Sequence, residues 1–464
     1  MSHAQLSDLP LELGEQIVSG LEAPEIRSLR ATCRPLSAAA TTQFYATFTL
    51  NASKDFKTLE GSLLEDIADG RSQWAEYADT FVITADRPMY WGSFDCFHAT
   101  HEGEEFFRKT LPLFRKVRSL IFHVSRFREV QWLPKVLCES LATSVFPLLE
   151  SLEVAFPGGF HLDQEKRDPA LAKLGDLQAP NLHTLKIFSA VWGHAVPSST
   201  IVDIIRRSPL LKILHLHGHM QRSFASIWET LRTENIALTE LSTNALSPSL
   251  VDYLASYSGL RSLVVSEIGT EEEEDKRNYY LEDINNADIT AAARVFFANA
   301  LPKHASSLEE MTVLTQTRSA RAWSVYDKGG CGWDGLSPAD MPVLTRVCAE
   351  VNPNAVVADT HGEFKWAPMY VPQFIARVNE LLPMFPVLEE LEIQLAIRHT
   401  VCTSSSYESE RTERDDAMRN ELVKLAEDLR MSVVQPWSVS VREREVGFQK
   451  KIHKSLLFRK EDSK

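Results

Sequence analysis

The densest run of potential metal ligands is Leu214-His215-Leu216-His217-Gly218-His219. On a strand, His215 and His217 share one face, which is the arrangement two ligands of a metal site need. No third ligand can be named at a matching position, so exposed strand histidines are the better reading and no metal is expected. The run Gly329-Gly330-Cys331-Gly332-Trp333-Asp334-Gly335 is glycine-rich but lacks the lysine and the spacing of a phosphate loop. It reads as a loop with an aromatic tip. Six cysteines stand at 33, 96, 138, 331, 348 and 402 with no CxxC among them. That spacing argues against zinc ribbons and thioredoxin-type redox chemistry, and it suits a reducing compartment. There is no nucleophile elbow, HExxH or dinucleotide fingerprint. No catalytic residue and no cofactor are expected.

The elements around these residues repeat. An apolar residue, two variable residues, an apolar residue, one variable residue and a third apolar residue recur down the chain. The copies are Val117-Leu120-Phe122, Leu149-Leu152-Val154, Leu182-Leu185-Ile187, Leu211-Leu214-Leu216, Leu260-Leu263-Val265, Leu308-Met311-Val313 and Leu388-Leu391-Ile393, with a weaker one at Leu238-Leu241-Thr243. Their central positions lie 32, 33, 29, 27, 22, 48 and 80 residues apart. The first five spacings are those of a solenoid, and the last two imply insertions or unrecognised rungs. Ala355-Val356-Val357-Ala358 is a candidate strand in the last gap. Helical patterns lie between copies: Phe224, Ile227, Trp228 and Leu231; Phe374, Val378 and Leu381; and Ile201, Ile204 and Ile205 behind a Thr200 cap. Strands alternating with helices imply a parallel sheet with crossovers. A closed α/β barrel is the competing fold, but the unequal gaps fit a ring poorly.

The N-terminal stretch reads as three short helices. Leu9, Leu13, Ile17 and Leu21 recur every four residues, with Pro10 suited to a first turn and Gly14 lowering helix propensity. Pro24 and Glu25 open a second helix with Ile26, Leu29 and Cys33 on one side, and Pro35 ends it. A third begins near Ser37 and carries Leu36, Ala40 and Phe44. Modules of ~40 residues rarely hide all their apolar surface alone. One face is expected to be finished by another protein or by the following domain. A helical cap on the repeats is the alternative reading, since repeat arrays need end caps.

The set Leu9-Pro10-x-Glu12-Leu13, Ile17, Leu21, Glu25-Ile26, Leu29-Arg30, Cys33-Arg34 and Leu36 resembles the F-box. The resemblance covers about 40 positions, with Pro35 beside the place where many members carry a tryptophan or another large residue. It implies docking onto the Skp-type adaptor of a cullin–RING ubiquitin ligase through Leu9, Pro10, Leu13, Ile17, Leu21, Leu29 and Cys33. The repeats in turn resemble the leucine-rich repeats that often follow an F-box, without the asparagine or cysteine that usually closes each one. The expected fold class is α/β: a three-helix F-box over 1–50, an irregular leucine-rich-repeat solenoid with parallel strands and convex-side helices over 51–402, and a polar linker, amphipathic helix and basic tail over 403–464.

In each repeat the residue between the two later apolar positions faces the concave side. That places Ile121, Glu153, Lys186, His215, Val264, Thr312 and Glu392 on one surface, with His123, His217, Ser266 and Gln394 one pleat further on. Glu153, Lys186, His215, His217, Thr312 and Glu392 are the candidate target-binding residues. Glu271–Asp275 is an acidic run that reads as a solvated loop. Met418, Leu422, Leu425 and Leu429 mark the amphipathic helix. From Arg442 onward eight Lys or Arg stand against four acids, which reads as a solvated end. A net charge of −14 repels nucleic acid and anionic membranes. No run nears the ~18 apolar residues of a membrane span. The first ten residues lack a basic segment followed by an apolar core, so no secretory signal is read and cytosol or nucleus is the expected location. The functional expectation is a non-catalytic adaptor that binds a Skp-type protein, a cullin and an unknown target protein. A scaffold acting outside the ligase is the alternative.

Overall fold

The computed structural model describes residues 10–51, 63–85, 101–124, 132–143, 146–156, 173–189, 196–217, 224–243, 247–265, 286–314, 341–351, 356–358, 364–366, 376, 378–380, 382, 385, 387–395, 423, 426–427, 437–446 and 451–460. The chain divides into two compact units, Met1–Leu211 and Lys212–Lys464.

The first unit opens with three helices, α1 (Leu11–Val18), α2 (Ala23–Arg30) and α3 (Arg34–Phe44). Glu25 Oε2 accepts the Glu22 N–H at 2.8 Å and satisfies one open donor at the start of α2. Pro35 does not end α2, as its sequence position implied. It sits in the first turn of α3, where its missing N–H costs nothing. Five strands follow: β1 (Thr47–Asn51), β2 (Thr80–Ala85), β3 (Ser119–Val124), β4 (Ser151–Phe156) and β5 (Thr184–Ser189). They pair in parallel in chain order. Helices at Gln73–Tyr77, His101–Thr110 and Trp132–Ala142 form the crossovers, and Ser198–Arg207 follows β5. That last helix starts before Thr200, which lies buried inside it rather than capping it.

The second unit holds β6 (Ile213–His217), β7 (Glu240–Thr243), β8 (Ser262–Val265), β9 (Glu310–Val313), β10 (Arg346–Val351) and β13 (Glu390–Leu395), parallel in that order. The strand expected at Ala355–Ala358 exists but is no rung. Val356–Ala358 (β11) pairs antiparallel with Phe364–Trp366 (β12) in a separate two-stranded sheet. The missing rung is β10, whose Leu344, Val347 and Ala349 are buried.

One main-chain device recurs at the start of the rungs. A single carbonyl accepts two consecutive N–H groups from the next rung. Asp79 O takes Arg118 and Ser119, Arg118 O takes Glu150 and Ser151, and Glu150 O takes His183 and Thr184. In the second unit Thr239, Arg261, Glu309 and Thr345 do the same. Proline-headed turns feed several of these starts, as where Leu149 N donates to Phe146 O at 3.2 Å around Pro147. Register matters here because a one-residue slip would turn every inward side chain outward. The inward set is consistent. The second and third positions of all eight sequence copies are at most 2% exposed, including Thr243 of the weak copy.

The basic end is not a solvated tail. Trp437–Val446 (β14) and Lys451–Lys460 (β15) form an antiparallel hairpin, and β15 pairs antiparallel with β13. Ser455, Leu456, Leu457 and Phe458 are buried. Buried Val439 on β14 lies opposite buried Phe458 on β15, so the hairpin packs on apolar residues while the segment reads as basic by composition. The amphipathic-helix positions Met418, Leu422, Leu425 and Leu429, the acidic run 271–275 and the glycine-rich run 329–335 lie outside the described residues. No helix among the described residues is long and apolar enough to cross a membrane.

Candidate interaction surfaces

The three N-terminal helices close around a small core of Val18, Ile26, Ala39 and Ala40, with Leu21, Leu29 and Phe44 packed against it. The helices approach closely because Gly14 faces Ala39. A Cβ added at Gly14 would lie 2.9 Å from the Ala39 Cβ. Turning Gly14 and Val18 inward turns the apolar series of α1 outward. Leu11, Leu13 and Ile17 are 50%, 46% and 43% exposed, and Pro10 is exposed beside them. Of the residues expected at this face, Pro10, Leu13 and Ile17 are therefore open. Leu21 and Leu29 are half-buried supports. Cys33 is half-buried at the start of α3, and Leu9 lies outside the described residues. Sequence periodicity missed Leu11, which falls off the four-residue repeat but lies at the open end of the helix. Pro10, Leu13 and Ile17, exposed along one helix face, mark a place where a partner removes surface from water, at about 25 cal/mol per Å².

In the first unit the outward row of the sheet carries an ionic cluster. Glu153 on β4 lies in register with Ile121 on β3 and Lys186 on β5. His123 Nε2 is 2.7 Å from Glu153 Oε1, and Lys186 Nζ is 3.7 Å from Glu153 Oε2. The hydrogen bond from His123 holds the Glu153 carboxyl below its ordinary range against opposing burial, and the His123 and Lys186 charges add to it. A carboxylate fixed between two basic groups can orient a polar partner.

In the second unit His215 Nε2 lies 2.7 Å from Glu240 Oε1, and His217 Nε2 lies 2.6 Å from Ser242 Oγ. Both histidines are thus engaged with the neighbouring strand. Burial, followed by the nearby His215, pushes His217 down to about 4. Thr312 is half-buried in the same row as Val264 and Cys348. Glu392 belongs to that row by register but is only 5% exposed, and Ser455 Oγ donates to its Oε1 at 2.6 Å. It serves the β13–β15 contact and is not an open docking residue. Ser266 lies outside the described residues, as does the side chain of Gln394. Among the described residues no group of three or more His, Cys, Asp or Glu is placed to hold a metal.

No family model matches the chain, and no curated protein matches it. Among solved structures it is similar to a crystal structure of a Bacteroides fragilis protein, 14% identical, covering 66% of this chain and 67% of that one with a TM-score of 0.33. A likeness that loose carries no functional argument.

Proposed function

We propose that this chain is a non-catalytic, substrate-recruiting subunit of a cullin–RING ubiquitin ligase. In this reading α1–α3 are an F-box that binds a Skp-type adaptor, and the strand-and-helix repeats are an irregular leucine-rich-repeat domain that holds a target protein. The protein makes and breaks no bond. It raises the effective concentration of a target near the ubiquitin-carrying enzyme. The observation that carries the reading is the outward apolar ridge Pro10, Leu13 and Ile17, with Leu11 exposed at the open end of the same helix, on a module whose other side is already packed. A helix that keeps three large apolar side chains half exposed while closing its own core has surface to give a partner.

The test is capture of a recombinant Skp-type adaptor by the full chain, compared with a Leu13→Asp/Ile17→Asp chain. Both positions are open, so the substitutions are expected to leave thermal unfolding within about 0.5 kcal/mol per site. Capture is expected to be lost. Equal capture by both chains removes α1 from the interface. Capture of the adaptor without recruitment of a cullin points to a scaffold outside the ligase.

A further inference from the structure

The junction between the helices and the first rungs is short and crowded with rings. Only Tyr45 and Ala46 separate α3 from β1. Ala46 O accepts the N–H groups of Asp79 and Thr80, so the residue after the module already serves as the first step of the rung ladder. Arg30, the last residue of α2, reaches into this junction. Its guanidinium carbon lies 4.0 Å from the Phe44 ring centre and 4.8 Å from the Tyr45 ring centre. Its Nη2 donates to Tyr45 Oη at 3.2 Å. Its Nε is buried with no hydrogen-bond partner among the described residues. The rings beyond Arg30 form a continuous chain. Tyr45 meets Trp74 edge-on at 4.7 Å, Trp74 meets Phe48 of β1 at 5.4 Å, and Phe48 meets Phe81 of β2 and Phe114, each at 5.2 Å.

We propose that Arg30 is a positioning residue that locks the three-helix module onto the β1–β5 sheet through the Phe44–Tyr45–Trp74–Phe48 ring chain. Arg30 is not part of the module's core of Val18, Ile26, Ala39 and Ala40, and of the junction's rings Phe44 packs against that core. Nε is desolvated without a hydrogen bond, a cost that stacking on two ring faces offsets. A lysine could supply the charge, but it lacks the plane that stacks on Phe44 while donating sideways to Tyr45. The lock holds whatever grips the α1 ridge at one orientation to the open face carrying His123, Glu153 and Lys186. Its consequence for ubiquitin transfer rests on the ligase reading above. Its mechanical content does not.

The experiment places labels at exposed Gln16 on α1 and exposed Arg115 before β3 in the full chain, through unnatural amino acids, and measures the distance distribution. The native chain is expected to give one narrow distribution. Arg30→Ala is expected to broaden it, Tyr45→Phe to broaden it less, and Arg30→Lys to restore it only in part. Adaptor capture is expected to survive Arg30→Ala, while transfer to a bound target falls on the order of tenfold through misplacement. An unchanged distribution in Arg30→Ala overturns the proposal. So does loss of adaptor capture together with the helical signal, since Arg30 would then hold the module's fold. Absence of transfer with the native chain counts against the ligase reading, and the distance distributions still decide the lock.

Discussion

Gly14 has a larger effect on the N-terminal geometry than its size suggests. Read from sequence, it only weakens a helix. In the structure it lets α1 approach Ala39, and that approach decides which face of α1 stays open. Gly14→Ala gains about 1 kcal/mol of helix propensity. It also forces a Cβ into a 2.9 Å contact with a packed side chain, and overpacking of this kind costs about 1–3 kcal/mol. The clash is expected to win, and urea denaturation should show a net loss of stability. Stabilisation would mean that α1 and α3 separate readily.

His304 gives a second prediction at this scale. Its Nδ1 accepts the Leu260 N–H at 3.2 Å and its Nε2 donates to Leu254 O at 3.0 Å, so the ring is neutral with its proton on Nε2. Burial lowers it from 6.5 to about 4. A second proton would face the Leu260 N–H. The unfolded chain binds that proton near 6.5 and the folded chain does not, so stability rises with pH across this range. The contribution is full above about pH 6.5 and is lost as pH falls toward 4, on the order of 3 kcal/mol from this group. His304→Gln should flatten that slope in melts taken between pH 4 and 7, and an unchanged slope would contradict the assignment.

At the scale of elements, the apolar repeat was legible because burial on one strand face enforces it. Each sequence copy lies on a strand with its later positions buried. The rungs that went unread are those whose pattern uses small or polar-edged residues. Rung β2 leads with Ala78, β1 with Tyr45, and β10 ends on Ala349. Ala78 and Ala349 are fully buried, but an alanine leaves little signal in a hydrophobic pattern. The C-terminal hairpin was hidden differently, because its charges dominate its composition while Val439, Leu456 and Phe458 do the packing. Beside the main-chain ladder, two side-chain pairs between β15 and β13 are unequal. The pair of Arg459 and Glu390 involves an exposed arginine and is expected to matter by ~0–1 kcal/mol. The Ser455 hydroxyl is buried against the Glu392 carboxyl, and Ser455→Ala is expected to cost about 1–3 kcal/mol. Hydrogen exchange in β14 and β15 should therefore accelerate far more in Ser455→Ala than in Arg459→Ala. The reverse order would show that the surface ion pair holds the hairpin.

For the whole molecule, the sequence conveyed an acidic chain with a small helical module and a parallel repeat array, and it named most of the outward residues on β3, β4, β5 and β6. It could not show which were free to bind. Glu392 is taken up by Ser455, and His215 and His217 are engaged across to β7. Periodicity gives the face of a residue but not what crosses from the next strand. The account rests on α1, where folding leaves Leu11, Leu13 and Ile17 open. Hydrogen–deuterium exchange of the full chain, with and without a saturating Skp-type adaptor, tests this most directly. Slowed exchange concentrated in Leu11–Val18 is the predicted result, and unchanged exchange there, with the adaptor bound elsewhere or not at all, would contradict it.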